Sequence, residues 1–371
     1  MFKTILYRQA PLLVLILLLT LSCEKKAAVS FSSEVQRHKK AQLNNIYDNE
    51  ISRLNTAFII ETSLLNDGIK HFEKEATTTN LSEVQNQWLR TLKIWKQMEL
   101  YNIGDISKTF IHSEIGRWPT NENFINDFID EIEIINEAFI ASKGASSKGI
   151  SALEYLLFSS EDNEMVITSF TTGTNYAKRL DYLTAVAHNL ETKANELSKL
   201  WTDYHSKFTT GLENGVEGSQ NQIINQMVST IEAILISKLG KPLGDTNGGP
   251  IALDELEAPR SGASLEIIQQ HLISLNRCYK GDFALTPFRV GFDDFLILIG
   301  NEDFSIKIAA QFAVCQKKID AIKGSLRNEI VSNPEAVVDL KNAFTNLLVL
   351  IKVDMANVLG STITFNDNDG D

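Results

Sequence analysis

Proline is what this chain lacks. Seven prolines in 371 residues leave long stretches, such as that between Pro11 and Pro119, in which nothing interrupts a helix. The apolar pattern uses that freedom. Ile46, Leu54, Phe58, Leu65 and Phe72 recur at helix-compatible spacings within a segment expected from Ser33 to about Glu75. Asn80 or Ser82 is then expected to cap a helix that carries Trp88, Leu92, Trp95 and Glu99 on one face and stops near Gly104. Further helices are expected over 122–142, over about thirty residues that lie after Asp162 and end near Phe208, and from Asn221 to Leu239. Others follow at Ser264–Tyr279, Phe288–Ile299, Glu302–Arg327 and from Asn333 or Pro334 to Leu359. No strand pattern competes, so the fold class is all-α, built from long antiparallel helices. The break at 240–262, rich in glycine and with three prolines, is long for a connection inside a helical domain, and such loops are often functional.

The first residues belong to transport rather than to the fold. Lys3 and Arg8 precede the apolar run Pro11 to Leu21, too short to span a bilayer but typical of a signal-peptide core. Ser22 and Cys23 follow directly, which resembles the bacterial lipoprotein signal, where the cysteine is lipidated and starts the mature chain. An ordinary secretory peptide with an incidental cysteine is the alternative. The lipoprotein reading gives a signal peptide over 1–22, a linker over 23–32, and a protein tethered to the cell envelope through Cys23 without a transmembrane helix. Whether the inner or the outer membrane carries it is left open. The formal net charge of −12 becomes more acidic once Lys3 and Arg8 are removed, which argues against nucleic acid as a partner. Cys278 and Cys315 then remain. They could pair in an oxidising compartment, although the apolar run around Cys315 suits a buried free thiol.

Standard catalytic signatures are absent. The sequence has no G-x-S-x-G, H-E-x-x-H, P-loop or Gly-rich dinucleotide turn, and its six histidines form no i, i+3 or i, i+4 pair. Three places still gather polar chemistry. His112 shares a loop with Glu114, Arg117 and the pair Trp118-Pro119. Glu99 continues an aromatic face, where a carboxylate needs a cation or hydrogen-bond donors, unless the helix end has already reached solvent. In the run from Glu257 through Arg260 and Ser261 to Ser264, Ser264 could cap a helix toward an incoming anion and Arg260 could fork onto Glu154 or Glu99. A capped helix with a surface arginine is the plainer reading. A fourth place is "KGISALEYLLF", residues 148–158, where Ser151 and Glu154 stand three apart on an apolar helix.

Taken in order, the lipoprotein-like start, "GISALEYLLF", the Trp118-Pro119 loop, "APRSGASLEIIQQHLISLNRCYKG" and the terminal "ITFNDNDGD" resemble the imelysin family over about residues 40–371. These are bacterial envelope proteins also described as insulin-cleaving membrane peptidases or iron-regulated proteins. The resemblance implies two helical-bundle domains with a cleft between them, drawn here as 33–160 and 161–360, followed by an acidic polar tail over 361–371. It implies zinc or iron through a G-x-H-x-x-E hallmark, which falls on Gly149, Ser151 and Glu154. Serine stands where the histidine belongs, and a hydroxyl is a poor ligand for a transition metal. Glu154 and His112 are left as candidate metal ligands, and Ser151 argues against zinc or iron.

The expectation is therefore a ligand-binding accessory in uptake of iron, haem or a related ligand, working with envelope uptake machinery. Its cleft would be walled by Glu99, Ser151 and Glu154 on one side and Arg260, Ser261 and Ser264 on the other, with Glu257 beside them. Trp118 and Pro119 would form the rim, and Gly149 the helix entry. A zinc-dependent peptidase with Glu154 as general base and a structural or partner-binding helical scaffold are the rivals.

Overall fold

A computed structural model describes residues 32–159, 162–245, 248–283 and 289–364. The expected signal peptide, Cys23 and the last seven residues of the tail lie outside that description. Among the described residues every regular element is helical.

Helix α1 runs over 32–46, loosens into a π-helical turn at Tyr47–Ile51 and resumes as Ser52–Lys74. Helix α2, Thr78–Met98, is capped by Thr77, whose side chain accepts from the Asn80 N–H, rather than by Asn80 or Ser82. It tightens into a 3-10 turn at Glu99–Tyr101 and ends there, three residues short of Gly104. Short helices α3 (Ile111–Gly116), α4 (Glu122–Glu131) and α5 (Gly149–Leu157) lead to the long α6, Tyr176–Thr210. Helix α7 starts at Ser219–Ala233 and continues through a π-helical stretch, Ile234–Gly240. Then come α8 (Ser264–Lys280), α9 (Glu302–Ala321) and α10 (Pro334–Leu348, extended by a π-helical stretch at Val349–Met355).

Two segments expected as single helices are divided. Residues 122–142 break after Glu131, because Asn136 turns its side chain onto the Phe139 N–H and starts a new helix, Glu137–Ala141. The long helix expected to end near Phe208 stays whole as α6, after a separate short helix, Asn163–Thr171. The one from Glu302 ends at Ala321, and Ser325 caps a separate Leu326–Ser332. In both divided segments a capping side chain overrides a continuous apolar pattern.

Helix α1 packs along both α2 and α6, and α5 wedges against α2, α3 and α6. Helix α6 follows residue 160 in sequence yet lies in this first set, beyond the 33–160 range expected of it. Helices α8, α9 and α10 form a second set with α7. The sets meet where α8 crosses α2 and where α7 lies on the Glu99–Tyr101 turn, and one continuous apolar cluster runs through both. That junction is tied by polar bonds: Gln97 Nε2 donates to Gln270 Oε1 at 2.6 Å, and Ser274 Oγ to the Gln97 carbonyl at 2.8 Å. Cys278 and Cys315 are both buried and free. Burial pushes the Cys315 thiol up to about 12, as expected of a thiol kept from water.

Candidate functional site

The site is built where α2 stops. Trp88 and Trp95 are buried, and Trp88 Nε1 donates to the Ile150 carbonyl at 2.9 Å, which fastens α5 onto α2. One residue past Trp95 the helix presents Lys96, whose side chain is only 4% exposed. Its Nζ lies 2.7 Å from Glu99 Oε1 and 2.7 Å from Glu257 Oε1. The other Glu257 oxygen is taken by Lys238, carried by the π-helical stretch of α7. The other Glu99 oxygen is 2.8 Å from His271 Nε2 on α8. Four chain segments thus deliver two lysines, two carboxylates and a histidine to one junction.

The charge states follow from these contacts. Burial alone would raise both carboxyls. For Glu99 the adjoining Lys96 and the His271 hydrogen bond win, and for Glu257 the two lysines win, so both lie well below the usual carboxylate range. Burial depresses Lys96 too, but Glu257 and Glu99 outweigh it and keep the lysine firmly protonated. His271 is held below its ordinary value by burial, opposed by its bond to Glu99. A neutral His271 facing an ionised Glu99 must carry its proton on Nε2, which leaves Nδ1 as a buried acceptor without a partner.

This network forms the floor of a cavity of about 290 Å³. Trp95, His112 and Trp118 wall one side, and Gln226, Ser229, Thr230 and Ser237 of α7 the other. His112 is buried with its ring 4.8 Å from that of Trp95, and burial lowers its pKa to about 4, so it is neutral at pH 7. Arg117 stands exposed at the rim and has no ion-pair partner among the described residues.

The "KGISALEYLLF" helix lies next door. Gly149 sits at φ +75°, and a Cβ there would overlap the Ile115 carbonyl oxygen, so only glycine lets α5 start against α3. Glu154, 6% exposed, accepts at Oε1 from the backbone N–H of Arg260 at 2.9 Å and of Ser261 at 2.8 Å. Burial raises its pKa, and those two N–H groups oppose the rise. Ser151 and Glu154 border a void of about 10 Å³ under Trp88, Trp95 and Trp118, at the limit of what one water needs.

The expected cleft is thus partly regrouped. Glu99, Trp118 and Glu257 line the large cavity, whereas Ser151 and Glu154 line only the small void. Gly149, Pro119, Arg260, Ser261 and Ser264 line neither. Arg260 does fork onto a carboxylate, but onto Glu122 at 2.8 Å, with its guanidinium 5.0 Å over Tyr155, while Glu154 takes its backbone instead. Ser264 does not cap α8. Ala263 holds the cap position, and the Ser264 hydroxyl donates to the Glu257 carbonyl at 2.5 Å. Sequence reasoning missed Lys96, Lys238 and His271. The only local signal was the Lys96-x-x-Glu99 spacing just after Trp95.

The zinc or iron implied by the hallmark does not fit these residues. Glu154 spends its buried oxygen on two N–H donors, Ser151 offers no nitrogen, and no three His, Cys, Asp or Glu side chains among the described residues are grouped to hold a metal ion.

Comparison with known proteins is consistent with the architecture. A family model described as Imelysin matches residues 56–353. An imelysin-like protein from Psychrobacter arcticum 273-4 superposes with a TM-score of 0.73 at 19% identity, covering 89% of this chain and 98% of its own. A candidate iron-regulated protein A precursor from Parabacteroides distasonis ATCC 8503 gives a TM-score of 0.73 at 16% identity, covering 87% of this chain and 95% of its own. No curated protein matches the sequence. No helix among the described residues is long and apolar enough to cross a membrane.

Proposed function

This chain belongs to the imelysin family, and from that premise we propose that it is an exported, lipid-anchored binding protein of the bacterial envelope. Its ligand is a small, acceptor-rich anion, a carboxylate or the carboxylate chelate of an iron ion, held in the cavity above Lys96. The observation that carries this reading is charge. The cavity has three cationic side chains, Lys96, Lys238 and Arg117, against two carboxylates, in a chain whose net charge is −12. A locally positive pocket in an acidic protein selects for anions.

Size and lining narrow the class. About 290 Å³ is at the small end for ligand sites. Beside Trp95 and Trp118, most of the lining residues carry hydroxyl, amide or charged groups, which suit a polar ligand better than the apolar faces of haem. The iron connection draws on the iron-regulated protein that shares the fold. A chelate would bring its own iron ligands, so the protein would need none. The anchor rests on residues 1–23. Peptide hydrolysis has no comparable support, because Glu154, the carboxylate expected as general base, is occupied by the loop N–H groups.

Calorimetric titration of the mature chain with citrate, ferric citrate and zinc chloride tests this. One-to-one binding of citrate or its ferric chelate, with no stoichiometric zinc, is expected. One-to-one zinc binding with no heat from either citrate species overturns it.

A further inference from the structure

The geometry around α5 points to a role for the hallmark glutamate that involves no metal: we infer that Glu154 is a positioning residue that sets the charge pattern of the cavity through the 257–261 loop. The chain of contacts is short. Glu154 Oε1 holds the N–H groups of Arg260 and Ser261. Three residues earlier the same loop places Glu257 between Lys96 and Lys238. Between the two, Ala258 is held at φ +52°, a left-handed conformation that a residue with a Cβ adopts only under strain. A loop containing such a residue keeps its shape only when its neighbours are fixed on both sides. Here the fixed points are Glu154 on one side and, on the other, the Ser264 hydroxyl donating to the Glu257 carbonyl.

Gly149 serves the same end. Because it permits the close approach to Ile115, α5 can begin low enough for Glu154 to reach the loop. Ser151 then faces the small void and is not called on to bind anything. The G-x-S-x-x-E segment is in this view a loop anchor that keeps one carboxylate, Glu257, on the cavity floor. Without the anchor Glu257 would leave Lys96 and Lys238, and the cavity would gain positive charge while losing its shape.

The test uses the full mature chain and reads two things. Hydrogen exchange at Arg260 and Ser261 reports the anchor directly and does not depend on any ligand. Glu154→Ala should speed exchange there by at least about tenfold while the amides of α2 and α8 stay protected. Glu154→Gln, whose amide oxygen can accept the same two N–H groups, should restore slow exchange. Glu154→Asp, one methylene shorter, should not. Adding Ala258→Gly to Glu154→Ala should recover part of the protection by removing the left-handed strain.

Citrate affinity, which rests on the proposed function, should change by at least about threefold in Glu154→Ala and return in Glu154→Gln. Slow exchange in Glu154→Ala overturns the anchor. Fast exchange with unchanged citrate affinity overturns the link to the cavity alone. Ser151→His is the control for metal, and it should leave zinc binding at the wild-type level. One-to-one zinc uptake by that variant, lost again when Glu154→Gln is added, would show a metal site and overturn the inference.

Discussion

Replacing Lys96 with methionine is the sharpest perturbation of the ion network. The substitution keeps the length of the side chain and removes one charge. At 2.7 Å and an effective dielectric constant near 20, each lysine–carboxylate pair carries a gross attraction of about 6 kcal/mol. Most of that offsets the cost of keeping Lys96 and Glu257 from water, with Glu99 still 24% exposed, so the net value of the lysine is much smaller. Removing one partner of a buried pair nevertheless costs about 3–5 kcal/mol, because the remaining charge stays buried. Here each carboxylate retains one contact, Glu99 with His271 and Glu257 with Lys238. The loss for Lys96→Met should therefore fall at the low end, about 3 kcal/mol at pH 7. Equilibrium urea denaturation of the two proteins measures it. Adding Glu99→Gln should return at least about 1 kcal/mol, since it removes the carboxylate left with the least support. The penalty should also shrink in acid. Both carboxyls have depressed native pKa values, so their contribution is full above the ordinary value of 4.5 and fades as pH falls through the native values. A loss below about 1 kcal/mol, as for an exposed pair, would refute the buried network.

Four further outcomes are expected. His112 is held at about 4 against an ordinary 6.5, so between those values the unfolded chain takes up a proton that the folded one refuses. The wild type should lose roughly 3 kcal/mol from this group between pH 7 and 4, and His112→Gln should lose correspondingly less in urea titrations at the two pH values. Gly149→Ala should cost at least about 2 kcal/mol, or abolish soluble expression, because a left-handed backbone and the Ile115 carbonyl both oppose a Cβ. Ala258→Gly in the otherwise native chain should raise stability by roughly 1 kcal/mol in the same denaturation assay. Cys278 and Cys315 should stay unmodified by an aromatic disulfide reagent until the protein is unfolded, since both thiols are buried and raised in pKa.

The helices were legible because their apolar residues repeat at one period, and Leu54, Phe58, Leu65 and Phe72 are all in the core. Their ends were harder to read, since a single Asn136 or Ser325 decides a break and neither interrupts the apolar pattern. In the site, Glu99 was found because it continues the face of Trp88 and Trp95. Lys96 was not, because a lysine on an amphipathic helix normally reaches water, and the partner that holds this one inside, Glu257, is 161 positions away in the chain. Lys238 and His271 escaped for the same reason. Arg260 was recognised as a carboxylate partner but given the wrong carboxylate. Backbone donors to Glu154 leave no mark in side-chain identity, and the loop that supplies them takes its shape from contacts distant in sequence.

Trp95 and Trp118 both line the cavity, which makes their fluorescence a direct reporter of what enters it. The most direct test of the account is a citrate titration of the mature chain followed by that fluorescence, repeated with Arg117→Gln. Saturable quenching or enhancement in the wild type, weakened at least about tenfold by the loss of the rim cation and by added salt, is the predicted result. A signal that never saturates, or one that Arg117→Gln leaves unchanged, would contradict an anion site above Lys96.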